Sequence, residues 1–299
     1  MRNVGYSFKP KINLKNTKYK IGDIADFSLG IKTSNDKRFL FTEKRNDDCM
    51  PMLRGKNIGR YFTSFNGEYL WYKPELIKQK QGGRPRVLEH FLCPKIVIQD
   101  IAKSINATID TENYLVNDTI NVIYNCKNGY SLHCILGLLN SKLINKWFAT
   151  TFPEGLHIKI NQLQEIPLPI LEENQKHQFI KLTEKILKLN VDCMQIAGKF
   201  NKYLSSQYPI ENNKKLQNWH ELEFSDFIKE LNKAIKKSKG TKLSKSDEME
   251  WMELFEDKKA QAQELKTQIN QTDKEIDKMV YELYGLTEEE IGVVEEDLL

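Results

Sequence analysis

Several kinds of residue pattern are missing from this 299-residue sequence, and each absence removes a class of function. Cys49, Cys93, Cys126, Cys134 and Cys193 are scattered without a Cys-x-x-Cys pair, so neither a disulfide framework nor a zinc site is expected, and they read as reduced core thiols. The histidines stand apart, which leaves no HExxH or His-x-His metal arrangement. A Gly-x-Ser-x-Gly elbow is absent, as are a glycine loop for S-adenosylmethionine and the Asn/Asp-Pro-Pro-aromatic tetrapeptide of amino-nitrogen methylation. No run reaches the roughly 18 uncharged apolar residues of a membrane helix, and no apolar core follows the basic N-terminus. No membrane partner is therefore expected, and a cytoplasmic setting is the default.

What remains is enough for two domains: a hydrophobic fraction of 40% supports a proper core at this length. Charge divides unevenly. Up to Ile170 there are 25 Lys and Arg against 15 Asp and Glu, a balance of +10, whereas the remainder has 20 against 26, a balance of −6. The basic part suits a polyanion and the acidic part a protein or solvent, although scattered solubilising charge gives the same balance.

The stretch from Asn117 to Leu171 organises the rest. Ile120, Val122 and Tyr124 alternate as in a half-buried strand, Asn128-Gly129 supplies a turn, and Leu132, Ile135, Leu136, Leu139, Leu143, Ile144 and Trp147 share one helical face. Lys142 and Lys146 lie to the side of that single helix, and Pro167 and Pro169 end the globule.

Three loops before this stretch combine donors with backbone freedom. The first, after the apolar Ile21, Ile24 and Phe27 and the Gly30 turn, holds Lys32, Thr33, Asn35, Lys37 and Arg38 and leads to a strand Phe39–Phe41. The second, Pro51–Phe62, sets Arg54, Lys56 and Arg60 around Gly55, Asn57 and Gly59, without the spacing of a nucleotide P-loop. The third, Gln81–Arg86, is a mobile glycine loop with Arg84 and Arg86. Lysine and arginine hold phosphates, while arginine, asparagine and threonine also reach base edges. The same compositions make plain turns and solvated loops. Glu68–Tyr72 reads as a strand, and Pro94–Ile101 as a buried strand with Lys103 at its end.

Beyond Leu171 the period changes. Phe179, Leu182, Ile186, Leu189, Cys193, Ile196, Phe200 and Tyr203 form a heptad seam, and Ala262, Leu265, Ile269, Thr272, Ile276, Met279 and Leu283 form a second one on a helix starting near Asp247. Between them lie a polar interruption, Gln207–Asn218, and a shorter amphipathic helix with Phe224, Phe227, Ile228, Leu231 and Ile235, closed by Lys236–Gly240. The two seams suit antiparallel pairing in cis.

For chemistry, Asp100 and Glu112 are the candidate Mg²⁺-binding carboxylates of a nuclease, but Glu112-Asn113-Tyr114 lacks the lysine expected two residues on. Glu256-Asp257-Lys258 has a Glu-x-Lys form within a charged helix.

Gly30-Ile31-Lys32-Thr33, Pro51–Ile58, Pro94-Lys95-Ile96-Val97, Leu138–Leu143 and Gln164–Pro169, and above all the run Glu275–Glu290, follow one another in an order that resembles a known group. The chain is similar to the TaqI-like C-terminal specificity region of type IIG restriction-modification enzymes and related adenine-specific DNA methyltransferases. The resemblance implies a target recognition domain that reads double-stranded DNA for a methyltransferase, and in many members for a nuclease. It implies an α+β fold: a basic arm or linker over 1–20, a β-rich recognition domain over 21–171 and a long-helix, coiled-coil-like region over 172–299. Neither a methylation site nor a nuclease has room here, so the chain is expected to be non-catalytic alone, either an excised fragment or a separate chain like half of a type I specificity subunit. S-adenosylmethionine and Mg²⁺ would belong to the catalytic partner, with no cofactor or metal on this chain.

Overall fold

The computed structural model describes residues 12, 14–153, 155–208, 210 and 214–296. They form two compact units, one comprising the chain to Glu184 together with Lys274 onward, the other Lys185–Asp273. Most of the basic segment 1–20 lies outside the described residues, but its end is structured.

The first unit starts with strand β1 (Thr17–Lys20), the single turn α1 (Ile21–Ile24) and strand β2 (Asp26–Leu29). So short a helix is held by its tertiary contacts, and Ile21 and Ile24 are fully buried. Helix α2 (Asp36–Phe39) takes the start of the expected Phe39–Phe41 strand and leaves only β3 (Leu40–Phe41), because Phe39 turns inward to stack on Trp71 at 6.1 Å. Strands β4 (Cys49–Leu53), β5 (Ile58–Gly59), β6 (Phe62–Thr63) and β7 (Tyr69–Trp71) precede α3 (Pro74–Lys78). Strands β8 (Lys95–Gln99), β9 (Ala107–Asp110), β10 (Leu115–Val116) and β11 (Ile120–Tyr124) complete the β-rich region.

Two four-stranded sheets result. One, ordered β2-β11-β8-β9, is antiparallel throughout; the other, β10-β4-β7-β3, has one parallel pair, β10 with β4. Ile31, Phe39, Met52, Leu70, Val97 and Val122 from these elements share one core.

The helix expected over Leu132–Trp147 is two helices, α4 (Leu132–Asn140) and α5 (Lys142–Thr151). Ser141 breaks it. Its backbone is extended, its hydroxyl donates to the Leu138 carbonyl and its Oγ accepts from the Ile144 N–H, so one serine closes one helix and caps the next. Lys146, expected at the side, is buried. After α6 (Ile160–Gln164), Pro167 and Pro169 do not end the globule: they form strand β12 (Pro167–Pro169), antiparallel to β1. Prolines are tolerated there because this two-stranded ladder consists of edges.

Helix α7 (Glu173–Gln207) runs out of this unit. Within it, Phe179 packs against Gly137, where a Cβ would lie 2.8 Å from the ring.

In the second unit, α7 continues to Gln207, followed by α8 (Lys214–Gln217), α9 (Phe224–Lys237) and α10 (Lys245–Leu283). Part of the expected polar interruption, residues 209 and 211–213, lies outside the described residues. Phe200 stacks on Trp219 at 4.0 Å and Phe227 on Phe255 at 4.7 Å, at the centre of an aromatic core. Phe200 meets Trp251 and Phe255 while the earlier Cys193 senses the later Lys266, so α7 and α10 run antiparallel in this unit. The first seam drifts at its end: Tyr203 is 48% exposed and Leu204 is buried instead, as 3.6 residues per turn overtakes a 3.5 repeat. Back in the first unit, α10 ends at Leu283 and α11 (Glu288–Glu296) follows.

All five cysteines are free, and only Cys49 and Cys134 are buried; Cys93, Cys126 and Cys193 are half-buried, not core thiols as expected. Among the described residues no helix is long and apolar enough to cross a membrane.

Candidate nucleic-acid interface

Backbone geometry fixes where the first loop leaves the sheet. The Gly30 N–H donates to the Ile120 carbonyl (3.0 Å), the Ile31 N–H to Val116 (2.7 Å), and the Asp118 N–H returns to Ile31 (3.0 Å). A Cβ at position 30 would sit 1.8 Å from the Asn117 carbonyl oxygen, so only glycine passes here. Beyond this point Lys32 and Arg84 exchange both backbone hydrogen bonds, at 3.0 and 2.7 Å. The glycine loop, expected to be mobile, is thereby pinned to the first loop, and the Gly83 N–H closes its turn on Lys80 (2.8 Å).

The second loop joins through side chains. Arg54 donates from Nε and Nη2 to the two carboxylate oxygens of Glu68 (2.6 and 3.1 Å), and again from Nη2 to Asp36 (3.0 Å). The hydrogen bond to Glu68, more than any other influence, holds its guanidinium above the ordinary arginine range. Asp36 also accepts from the Thr33 hydroxyl, which in turn accepts from the Asn35 N–H (3.2 Å). Asn57 is buried, its Oδ1 accepting from the Arg54 N–H and its Nδ2 donating to Ser64, both at 2.8 Å. The Gly55 N–H donates to Thr119 Oγ1 (2.8 Å), next to Asp118, whose carboxylate lies 3.9 Å from Lys32 Nζ.

Three loops far apart in sequence thus meet at one place. Lys32, Lys37, Arg38, Lys56 and Arg84 are exposed there, with Asn35 half-buried. Thr33, Arg54 and Asn57, expected among the contacting residues, bond within and between the loops, to Asp36, Glu68 and Ser64. Arg86 is half-buried at positive φ (62°), its Nε donating to the Gly30 carbonyl (3.3 Å), and burial, followed by neighbouring Arg84, lowers its pKa.

Comparison with known proteins places a boundary within this arrangement. Residues 50–168 match the family model described as the TaqI-like C-terminal specificity domain. The resemblance to a specificity domain thus rests on this stretch. The match starts after the first loop, which therefore packs on the matched stretch from outside it. Residues 172–280 match a family described as a domain of unknown function, DUF8810. No curated protein matches the chain. Among solved structures, the Type IIL restriction-modification enzyme MmeI in complex with DNA is similar, with 13% identity and a TM-score of 0.38. The similarity covers 86% of this chain and 38% of that one, so the chain spans well under half of the enzyme.

Other candidate residues of the matched stretch lie apart from the place where the loops meet. Arg60 donates from Nε and Nη2 to the Asn140 carbonyl (3.0 and 2.7 Å), capping the C-terminus of α4. Lys103 is exposed on a segment tied to the 156–158 backbone, where Ala102 N–H meets Leu156 and Ile158 N–H meets Asp100. Asp100 Oδ2 lies 3.0 Å from His157 Nδ1. The postulated Asp100–Glu112 metal pair does not form. Asp100 follows β8 past Ile98↔Ala107 and Glu112 follows β9 past Lys95↔Asp110, which puts them at opposite ends of the ladder, on the order of 20 Å apart at about 3.3 Å per residue. Among the described residues no group of three or more His, Cys, Asp or Glu is placed to hold a metal ion.

The matched stretch also contains a buried ion pair not anticipated from the sequence. Lys95 Nζ lies 2.5 Å from Asp110 Oδ2, with side chains 0% and 1% exposed, and donates to the Phe91 carbonyl (2.6 Å). Asp110 accepts in addition from the Glu112 and Tyr114 N–H groups (2.8 and 3.0 Å). Lys95 opens an otherwise apolar strand, and that break in the pattern is the one sequence signal of the pair.

Proposed function

We propose that this chain is the sequence-reading, non-catalytic DNA-recognition part of a restriction-modification system, acting for an adenine-specific methyltransferase domain or subunit. The observation that carries the reading is the meeting of three loops on a TaqI-like specificity domain, where Lys32, Lys37, Arg38, Lys56 and Arg84 stay exposed while Arg54 is neutralised by Glu68 and Asp36. Exposed flexible cations suit phosphates, and Arg38, Arg84 and Asn35 have the donors for base edges. In this reading Thr33, Arg54, Asn57 and Arg86 shape the surface, and Arg60 and Lys103 stand outside it. By role the chain divides into 1–20, 21–171 and 172–299, a division that cuts across the two compact units because Lys274 onward belongs with the first of them, and the acidic helical region meets the catalytic partner and not the DNA. S-adenosylmethionine and Mg²⁺ belong to that partner. The test is selection of duplexes from a random pool, followed by methyl transfer to the selected site with and without this chain added to its methyltransferase. A consensus lost on joint alanine substitution of Arg38 and Arg84 supports the reading; binding without any consensus overturns it.

A further inference from the structure

Strand β2 lies at the free edge of its sheet. The hydrogen bonds from Gly30 N–H to Ile120 and from Asp100 N–H to Thr119, combined with the two registers, show which way each residue points. On β11, residues 120, 122 and 124 bond to β2 and residues 121 and 123 to β8, because antiparallel partners alternate. Asp26 and Ser28 therefore bond inward, and Phe27 and Leu29 turn their backbone groups outward. The Leu29 carbonyl accepts from the Ser28 hydroxyl (3.1 Å), while Phe27 N–H, Phe27 C=O and Leu29 N–H have no partner among the described residues. All four β2 residues line an open cleft of about 780 Å³, together with Arg86, Val87, His90 and Ile160. Leu29 and Val87 are 37% and 51% exposed at this place.

We propose that this cleft takes an extended, acidic segment of a partner polypeptide, which adds a strand to β2. An uncovered edge is a ready template for strand addition, and alternating donor, acceptor and donor match a peptide backbone. The row of acceptors along a nucleic-acid backbone does not match Phe27 C=O, and the apolar Leu29, Val87 and Ile160 suit side chains. Charge selects the acidic class. Asp26 is already held by Asn125 Nδ2 (2.5 Å) and Lys127 Nζ (2.9 Å), whereas Arg86 spends only Nε, on Gly30. This cleft adjoins the exposed loop cations assigned to DNA through Arg86, which follows Arg84 and bonds to Gly30, but it uses none of them and does not depend on that assignment.

The probe is a displayed library of random linear peptides, panned on the whole chain. Enriched peptides should be extended, apolar and acidic, and hydrogen exchange should show Phe27 and Leu29 amides protected when such a peptide is added. Leu29→Pro removes an outward N–H without touching the β2–β11 ladder and should weaken binding about tenfold or more. Arg86→Gln should abolish the preference for acidic peptides. No enrichment, unchanged exchange at Phe27 and Leu29, or displacement of the peptides by a duplex oligonucleotide would overturn the proposal. The exchange measurement uses the unaltered chain, so it decides the matter even where Leu29→Pro fails to fold.

Discussion

The hydroxyls of Tyr130 and Tyr284 grip the same strand: Tyr130 donates to the Pro169 carbonyl (2.5 Å) and Tyr284 to the Pro167 carbonyl (2.6 Å). Tyr284 belongs to the C-terminal run Glu275–Glu290 and Pro167 to Gln164–Pro169, so two motifs more than a hundred residues apart meet in one contact. The Lys142 N–H likewise donates to Asp277 Oδ1 (2.9 Å), joining Leu138–Leu143 to the same run. Tyr284→Phe should lower stability by about 0.5–1.5 kcal/mol, since the part-buried Pro167 carbonyl loses its hydroxyl donor. Denaturant melts of the two chains measure it.

Burial raises the Tyr284 hydroxyl well above the ordinary tyrosine range, and raises Tyr130 as well. An acid with a raised folded pKa keeps its full contribution below the unfolded value and loses it above. Stability should therefore fall as pH climbs past about 10, where the unfolded tyrosines ionise first, and Tyr284→Phe should flatten that fall. Thermal melts between neutral and strongly alkaline pH check the sign.

Lys95→Met should cost about 3–5 kcal/mol, because it leaves the Asp110 carboxylate buried without its cation. Adding Asp110→Leu should not restore the stability, since the Glu112 and Tyr114 N–H groups then have no acceptor. Urea midpoints of the single and double variants decide this.

Alanine at Lys37 or Lys56 should weaken DNA binding alike on all sequences and reduce the salt slope by about 0.9 for each phosphate left without its cation. Arg54→Ala should act through the frame, destabilising the protein by about 1.5–3 kcal/mol as its bonds to Glu68 and Asp36 disappear. Titrations at several salt concentrations, set beside thermal melts, separate the two classes of residue.

Cys126 should resist alkylation at pH 8. Burial pushes its thiol up to about 11, which leaves roughly a thousandth of it as thiolate. Mass mapping after brief iodoacetamide treatment, native and unfolded, shows the difference.

How legible this was depended on the range of the interaction. Periodic elements were legible: Ile120–Tyr124 is a strand, Lys95–Gln99 is a buried strand, and the heptad residues fall on the long helices α7 and α10. The break at Ser141 was not, because the apolar face of α4 continues into α5 and masks a one-residue cap. Thr33, Arg54 and Asn57 have the side chains of ligand-binding residues, yet each bonds inside the protein, to Asp36, Glu68 and Ser64. The Arg54 partners lie 14 and 18 residues away, beyond any local pattern. The +10 balance locates the basic region but does not say which cations remain uncommitted.

Beside the one bond from Arg86 Nε to the Gly30 carbonyl, the first loop is held at its root by main-chain atoms: Gly30 and Ile31 on the 116–120 backbone, Lys32 on Arg84. None of these main-chain bonds depends on a side chain, apart from the requirement that residue 30 have none. Drift in the sequence from Lys32 to Arg38 can therefore rewrite what the loop touches while its mounting stays in register, much as a type slug is changed without moving the press.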